Sequence, residues 1–214
     1  MHITSNSIQG TERNINEDCI CTKLLDNGFY LLVVADGMGG LELGEKAAGI
    51  VVDSIIESFN VCDKTDLTDN RIIEGLRFAD SNISDLKSLF KCKTGATVAI
   101  ALIDSTQLKY SWQGNVRIYL YKDNNWIPLT TDHALSAGYG EKRVTRCLKG
   151  TGLRNDIPVK RINLNIEESV MICSDGYYEA FNILPNPHDI AVSFGKMKFK
   201  DDASYILIEP HQTS

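Results

Sequence analysis

Nine short apolar runs, each bounded by turn residues, dominate the sequence and predict a protein built on β-sheets. They cover residues 20–24, 29–35, 97–103, 107–112, 117–122, 126–129, 161–164, 169–173 and 205–209. Most connections between them are too short to hold a crossover helix, so we expect the strands to pair mainly antiparallel. Nine strands are more than one sheet usually contains, and their number therefore indicates two sheets.

Two consecutive segments between predicted strands have the period of an α-helix instead. Apolar residues recur at steps of three and four in 48–59 and again in 72–90, which gives each segment one apolar stripe. A helix with one apolar stripe packs that stripe on another element, so we expect both helices on the outside of the sheets. The sequence therefore predicts an α+β fold.

Length and composition favour a single domain over residues 1–214, expected to be a monomer. A chain of this length buries a substantial core, and 43% hydrophobic with 23% charged residues is ordinary for a globular protein. A net charge of −6 argues against nucleic acid or an anionic membrane as the main partner. The stretch "MHITSNSIQG" is neither basic nor apolar, and no run is long enough to span a bilayer, which predicts a cytoplasmic protein.

Two of the apolar runs end in the same Asp-Gly step. "YLLVVADG" ends in Asp36 and Gly37, and "SVMICSDG" ends in Asp175 and Gly176. The end of a strand fixes a carboxylate rigidly, and the glycine lets a backbone carbonyl approach a ligand because no Cβ intervenes. Either step alone is more typical of an ordinary turn.

Further acidic residues precede two other predicted strands. "ERNINEDC" holds Arg13, Glu17 and Asp18, and "KFKDDASYILIE" holds Asp201 and Asp202. Each of these residues by itself is also compatible with a surface ion pair. Several carboxylates at strand ends, without a cluster of His or Cys, are typical of an all-oxygen site for Mg²⁺ or Mn²⁺. The set as a whole therefore favours a metal site.

Seven stretches follow one another in a specific order: "GTERNINED", "VVADGMGG", "TGATVAIALI", "WQGNVRIYLY", "LTTDHAL", "VMICSDG" and "DDASYILI". In this order they resemble the motifs of the metal-dependent protein phosphatases of type 2C, the PPM family, in their compact bacterial form. The resemblance runs from Gly10 to Ile208. It implies a sandwich of two antiparallel β-sheets flanked by pairs of α-helices. It also implies hydrolysis of phosphoserine and phosphothreonine in proteins, with two Mn²⁺ or Mg²⁺ ions.

The resemblance implies a metal-binding role for four residues. Asp36 is expected to bridge both ions, and the backbone carbonyl of Gly37 to bind the second one. Asp175 and Asp201 are expected to be further ligands of the first. In the family motif the ligating Asp stands three residues before a Ser or Thr, as Asp201 does here, so replacement of Asp202 is expected to be mild.

Three residues ahead of the first predicted strand complete the implied catalytic set. Glu17 and Asp18 match acidic residues that hydrogen-bond water on the metals and so orient the coordination sphere. Arg13 matches the arginine that binds the phosphoryl group, for which its planar fork is suited. A water molecule that bridges the ions would attack phosphorus, so no covalent intermediate is needed.

Other nucleophiles and proton donors are less compatible with the sequence. No His is placed to activate Cys173 or Ser174, and Cys173 has the pattern of an inward strand residue. His133 in "TTDHAL" is interpreted as a residue that organises its loop by hydrogen bonding, with proton donation as the alternative.

Two departures from the family pattern leave alternatives open. Asn115 stands where the family usually has an Asp that helps to hold a third metal, so a third site is expected to be weak or absent. The segment between Asp175 and Asp201 is also short. One alternative is a catalytically weak module that binds a phosphoprotein or a kinase, and another is a hydrolase of small phosphate esters. For the enzyme, the expected partners are a phosphorylated protein substrate and a cognate Ser/Thr kinase.

Overall fold

The computed structural model describes residues 1–61, 69–138, 141–153, 156–181 and 183–209. In chain order the elements are β1 (His2–Ile8), β2 (Asp18–Leu24), β3 (Tyr30–Gly37), α1 (Gly44–Val61), α2 (Asp69–Phe90), β4 (Ala96–Ile103), β5 (Gln107–Gln113), β6 (Arg117–Lys122), β7 (Asn125–Pro128), β8 (Ala134–Gly138), β9 (Glu141–Val144), β10 (Lys160–Asn163), β11 (Ser169–Cys173), α3 (Asp175–Tyr178), a 3₁₀ turn (Pro187–Asp189), α4 (Ile190–Lys196) and β12 (Ala203–Glu209).

Two five-stranded antiparallel sheets form the body of the molecule. One has the strand order β1-β12-β11-β6-β7, the other has the order β10-β5-β4-β3-β2, and β8 pairs with β9 separately. Strand β3 is buried on both faces: Leu32 and Val34 pack against residues of the other sheet such as Ile172, whereas Leu31 and Val33 pack toward the helices. The predicted arrangement of two antiparallel sheets is confirmed.

The two outer faces of the sandwich are covered unequally. Helices α1 and α2 pack on one sheet through apolar stripes that include Val51, Ile55, Leu76 and Ile83. The other sheet is covered by the four-residue α3, the seven-residue α4 and a buried aromatic cluster around Tyr177. The short segment between Asp175 and Asp201 therefore contains helices of only one or two turns. Within the described residues, no helix is long and apolar enough to cross a membrane.

Three strands have no counterpart in the sequence-based prediction. Strand β1 lies at the edge of its sheet and reads "HITSNSI", so only its two isoleucines give an apolar signal. Strands β8 and β9 read "ALSAG" and "EKRV" and form a separate two-stranded ribbon with no apolar alternation. A strand that buries little apolar surface leaves little trace in the sequence pattern.

Candidate active site

The ends of four strands meet at one edge of the sandwich and carry the predicted acidic residues. Strand β2 begins at Asp18 beside the end of β3, because Asp18 and Asp36 are register partners. In the other sheet, β11 pairs antiparallel with β12, which brings Asp175, shortly after β11, close to Asp201, shortly before β12. Antiparallel pairing thus gathers carboxylates that are far apart in the sequence.

A cleft of about 750 Å³ opens at this edge. The predicted site residues that line it are Arg13, Asp36, Gly37, Asp175 and Asp201, and Asn115 lines it as well. Glu17 and Asp18 do not line the cleft themselves and instead contact residues that do. The structure therefore brings all seven predicted site residues together, five at the surface of the cleft and two behind it.

Asp18 and Asp36 are like charges directly opposite one another on neighbouring strands, which is destabilising unless a cation or a proton offsets them. Burial raises the pKa of Asp18 to about 7. Burial, together with the neighbouring Asp175, raises the pKa of Asp36 well above its ordinary value. Ser174 Oγ donates a hydrogen bond to Asp18 Oδ2 at 2.7 Å, whereas Asp18 Oδ1 is buried and has no partner among the described residues. The pair therefore leaves one buried carboxylate oxygen of Asp18 without a hydrogen bond from the described residues.

Asp175 is held by a short series of contacts that starts at Asn115. Asn115 Nδ2 donates to Asp175 Oδ2 at 2.6 Å, and Tyr178 Oη donates to the backbone oxygen of Asn115 at 3.1 Å. The guanidinium of Arg117 lies 3.7 Å from the centre of the Tyr178 ring. Burial raises the pKa of Asp175 to about 6. The amide thus occupies a position in direct contact with a predicted metal ligand, and its Oδ1 is buried without a partner in the described part of the chain.

Arg13 is paired with a predicted metal ligand. Its Nε and Nη2 donate to the two carboxylate oxygens of Asp201 at 2.6 and 2.8 Å, and this bidentate contact raises the pKa of Arg13. Its Nη1 lies 3.5 Å from Glu17 Oε2. A guanidinium fork that fits a carboxylate in this way also fits two phosphoryl oxygens.

Asp202 differs from its neighbour in both burial and partners. It is only 4% exposed, and its two carboxylate oxygens accept hydrogen bonds from the backbone N–H groups of Gly10 and Glu17, both at 2.9 Å. Asp202 therefore fastens the segment that carries Arg13 to the start of β12. This contact changes the expectation for its replacement from a mild effect to a loss of stability.

Position 37 requires glycine because there is no room for a side chain, and not because of its backbone angles. A Cβ at this position would lie 2.5 Å from the backbone carbonyl carbon and oxygen of Gly44, the first residue of α1. Gly44 is itself confined, because a Cβ there would lie 2.3 Å from Glu17 Oε1. The end of β3, the start of α1 and Glu17 are thus in direct contact, and a carboxylate at a helix N-terminus is favourable.

The alternative reactive side chains do not have the surroundings of a nucleophile or a proton donor. Cys173 is fully buried, and burial raises the pKa of its thiol, so it is not available as a thiolate. Ser174 Oγ is occupied by Asp18 and by the backbone N–H of Ser204. His133 Nδ1 accepts from the N–H of Gly114 at 3.2 Å, and burial lowers the pKa of His133. These contacts match the interpretation of His133 as a residue that organises its loop.

The cleft contains the donor types of a hard-cation site, but not a complete set of ligands in place. Among the described residues, no three His, Cys, Asp or Glu side chains converge so as to hold a metal ion. Asp175 and Asp201 are instead paired with Asn115 and Arg13. Cation binding would therefore compete with Arg13 for Asp201, whereas Asn115 contacts only one of the two oxygens of Asp175.

Comparisons with known proteins all point to the same protein family. The model of the protein phosphatase 2C family matches residues 10–201. A protein of Streptococcus pyogenes serotype M6, named as being of the protein phosphatase 2C type, is 32% identical over 139 residues, which cover 63% of this chain and 56% of that protein. The chain thus spans little more than half the length of this relative.

Solved structures share the fold at low sequence identity. The catalytic domain of the serine threonine protein phosphatase PstP, solved in complex with 2 manganese ions, matches with a TM-score of 0.80 and 19% identity over 97% of both chains. Stp1 of Staphylococcus aureus matches with a TM-score of 0.83 and 19% identity, over 97% of this chain and 94% of that one. Since the family model covers most of the sequence and the sandwich is the same, the chain belongs to the protein phosphatase 2C family.

Proposed function

We propose that this chain is a protein serine/threonine phosphatase that depends on Mn²⁺ or Mg²⁺ and hydrolyses phosphoserine and phosphothreonine in proteins. The observation that carries the proposal is the meeting of Asp36, Asp175, Asp201 and Arg13 in one cleft, with Asp18 directly behind Asp36. Family membership supports it, and we take residues 1–214 as one catalytic domain. The substrate is a phosphorylated protein, and a cognate Ser/Thr kinase is a further partner.

The donor set fits two divalent cations. All of its side-chain donors are carboxylate oxygens, which Mg²⁺ and Mn²⁺ prefer. Asp18 and Asp36 lie opposite one another, and Asp18 Oδ1 has no hydrogen-bond partner among the described residues. PstP was solved with 2 manganese ions, and this supports the same number here. Asp36, the carbonyl of Gly37, Asp175 and Asp201 would hold the ions. When bound, such ions lower the pKa of a coordinated water and neutralise charge on the phosphoryl group.

Arg13, Asp18 and Glu17 would bind the phosphoryl group and orient the groups around it. Arg13 would exchange the oxygens of Asp201 for those of the phosphoryl group, because two phosphoryl oxygens can accept hydrogen bonds from its fork as the two carboxylate oxygens do. Asp18 is held in one orientation by Ser174, so it can orient a water molecule beside Asp36. Glu17 stays beside Arg13 and limits where the guanidinium can move.

Phosphate release from a phosphothreonine peptide tests the proposal. We expect turnover with Mn²⁺ and a fall to background in excess chelator, with activity restored by Mn²⁺ but not by Ca²⁺, which prefers looser coordination at longer distances. A chain that hydrolyses p-nitrophenyl phosphate but no phosphopeptide would instead be a small-ester hydrolase. A chain that binds the phosphopeptide without turnover at any metal concentration would be the binding module.

Asn115 sets the expected metal requirement. An amide oxygen lacks the charge that offsets the lost hydration of a cation, so a third metal site here should be weak or absent. We expect Asn115→Asp to lower the Mn²⁺ concentration for half-maximal activity or to raise the rate. In chelator the same variant should melt at a lower temperature than the wild type, because it places a second carboxylate against Asp175 where Asn115 now donates a hydrogen bond.

Asn115→Ala is the matched control, because it removes the contact to Asp175 without adding charge. Mn²⁺ should change its melting temperature by the same amount as it changes that of the wild type. Superimposable Mn²⁺ titrations for Asn115→Asp and wild type would show that this position has no part in metal binding.

A further inference from the structure

Four basic side chains line the same cleft as the acidic residues, on the side formed by α2, the loop before β4, and β9 with the loop that follows it. This basic rim consists of Lys87, Lys93, Arg143 and Lys149. The chain as a whole carries 28 acidic and 22 basic residues, so a group of four cations beside one cleft runs against the overall charge. A local basic patch on an acidic protein creates a positive field where the phosphoryl group must enter.

The rim is held by buried contacts. Asp80 on α2 is 3% exposed, and its carboxylate accepts hydrogen bonds from the backbone N–H groups of Lys149 and Gly150 at 2.8 and 2.9 Å. Lys87 Nζ donates to the backbone oxygen of Lys149 at 2.7 Å. The preceding residue, Leu148, forms a β-bridge with the first residue of β4. The loop that presents Lys149 is therefore fixed to both α2 and the central sheet.

In the described part of the chain, the charges of Lys93, Arg143 and Lys149 are not neutralised by carboxylates. Elsewhere on the surface basic side chains do pair with carboxylates, as Arg146 does with Asp156 and Lys122 with Glu168. Over the described ranges of the chain, the side chains of Lys93, Arg143 and Lys149 form no ion pair. Exposed cations without a partner keep their full attraction for an incoming anion.

We propose that the basic rim binds acidic residues, or a second phosphate, that flank the phosphorylated residue of the protein substrate. The proposal rests on the proposed function, because it assigns a substrate class to the same cleft. A monoanionic or dianionic small ester reaches only Arg13 and the acidic centre, whereas a peptide chain that crosses the cleft also passes the rim. The rim therefore selects among phosphoproteins by the charge of their flanking residues.

Three phosphothreonine peptides of equal length, with flanks of Glu, Gln or Lys, test this selection. We expect kcat/KM to fall from the Glu to the Gln to the Lys peptide, with about tenfold between the first and the last, and the difference to shrink as salt rises. In the double variant Lys93→Gln, Lys149→Gln, which keeps Lys87 and Arg143, the difference in kcat/KM between the Glu and Gln peptides should shrink. Lys93→Glu, Lys149→Glu brings the net charge of the rim to zero and should abolish the order of the peptides. A further peptide with a second phosphothreonine in place of one Glu separates the two forms of flanking anion.

The control is Lys196→Glu, a charge reversal of the same kind on an exposed lysine of α4 away from the cleft, which should leave the order of the peptides unchanged. If the wild type released phosphate from all the peptides with equal kcat/KM, the proposed role of the rim would be overturned and the proposed function would remain. If the wild type released phosphate from no substrate, the proposed function would fail. Fluorescence anisotropy with labelled forms of the same peptides would then test the proposed role of the rim. Equal affinities for peptides with Glu and Lys flanks would overturn that proposal.

Discussion

Asp36→Asn is expected to lower kcat/KM for a phosphothreonine peptide by about 10³-fold or more while the fold persists. Asp36 is the second-last residue of β3 and lines the cleft opposite Asp18 and near Asp175, so it is a carboxylate that would hold the cations. An amide of the same shape removes the charge that holds two cations close together. The measurement is phosphate release across a Mn²⁺ titration.

The same substitution should act in the opposite direction on stability. Asp36→Asn removes one of two like charges that face each other across β2 and β3, so in chelator the variant should unfold at a higher temperature than the wild type. Asp53→Asn, the same change on an exposed position of α1, is the matched control and should alter neither property. Full activity of Asp36→Asn, or of the wild type in excess chelator, would contradict the two-metal proposal.

The strands that build the cleft could be predicted because they are buried. Strand β3 has apolar residues on both faces, and its buried run leads without interruption to Asp36 and Gly37. The same holds for β11, which leads to Asp175. Such runs mark the ends of core strands in the sequence, and a polar residue at such an end must face the edge of the sheet.

The contacts between those strand ends could not be predicted, because they depend on register and packing. Nothing in the sequence pairs Asn115 with Asp175, which lie sixty positions apart, or Arg13 with Asp201. The series of motifs placed these residues in one site but did not indicate that both carboxylates would be engaged by neighbouring donors.

The two adjacent acids before β12 show the same limit most clearly. The family motif selected Asp201 as the residue at the site, but two consecutive Asp residues do not reveal what the other one contacts. The structure separates them: Asp201 has a side chain that is 41% exposed and lines the cleft, whereas Asp202 is 4% exposed. Alternation along an extended segment sends adjacent side chains in opposite directions, and only the position of Gly10 and Glu17 shows what the buried one does.

These contacts predict opposite phenotypes for the two neighbours. Asp202→Ala leaves the N–H groups of Gly10 and Glu17 without their acceptor, at about 1–3 kcal/mol for each group, so the free energy of unfolding should fall by roughly 2–6 kcal/mol. Asp201→Ala removes a partly exposed pair with Arg13, of a kind that contributes about 0–1 kcal/mol, and one local hydrogen bond from the N–H of Asp202 to Asp201 Oδ1. Thermal and urea unfolding of the two variants in chelator compare these losses directly.

The order of the two variants should be reversed for activity, with the larger loss in Asp201→Ala. We expect Asp201→Ala to lose phosphate release by orders of magnitude with a nearly unchanged melting temperature, because it removes a proposed metal ligand from a surface that does not hold the fold together. Asp202→Ala should keep measurable turnover at low temperature, where it is still folded, and lose it on warming as the segment that carries Arg13 detaches. Asp202→Asn, which retains one acceptor oxygen, should lie between Asp202→Ala and the wild type in stability. The assignment would be reversed if Asp202→Ala melted like the wild type and lost all turnover, since Asp202 would then act in the cleft and Asp201 would not be needed there.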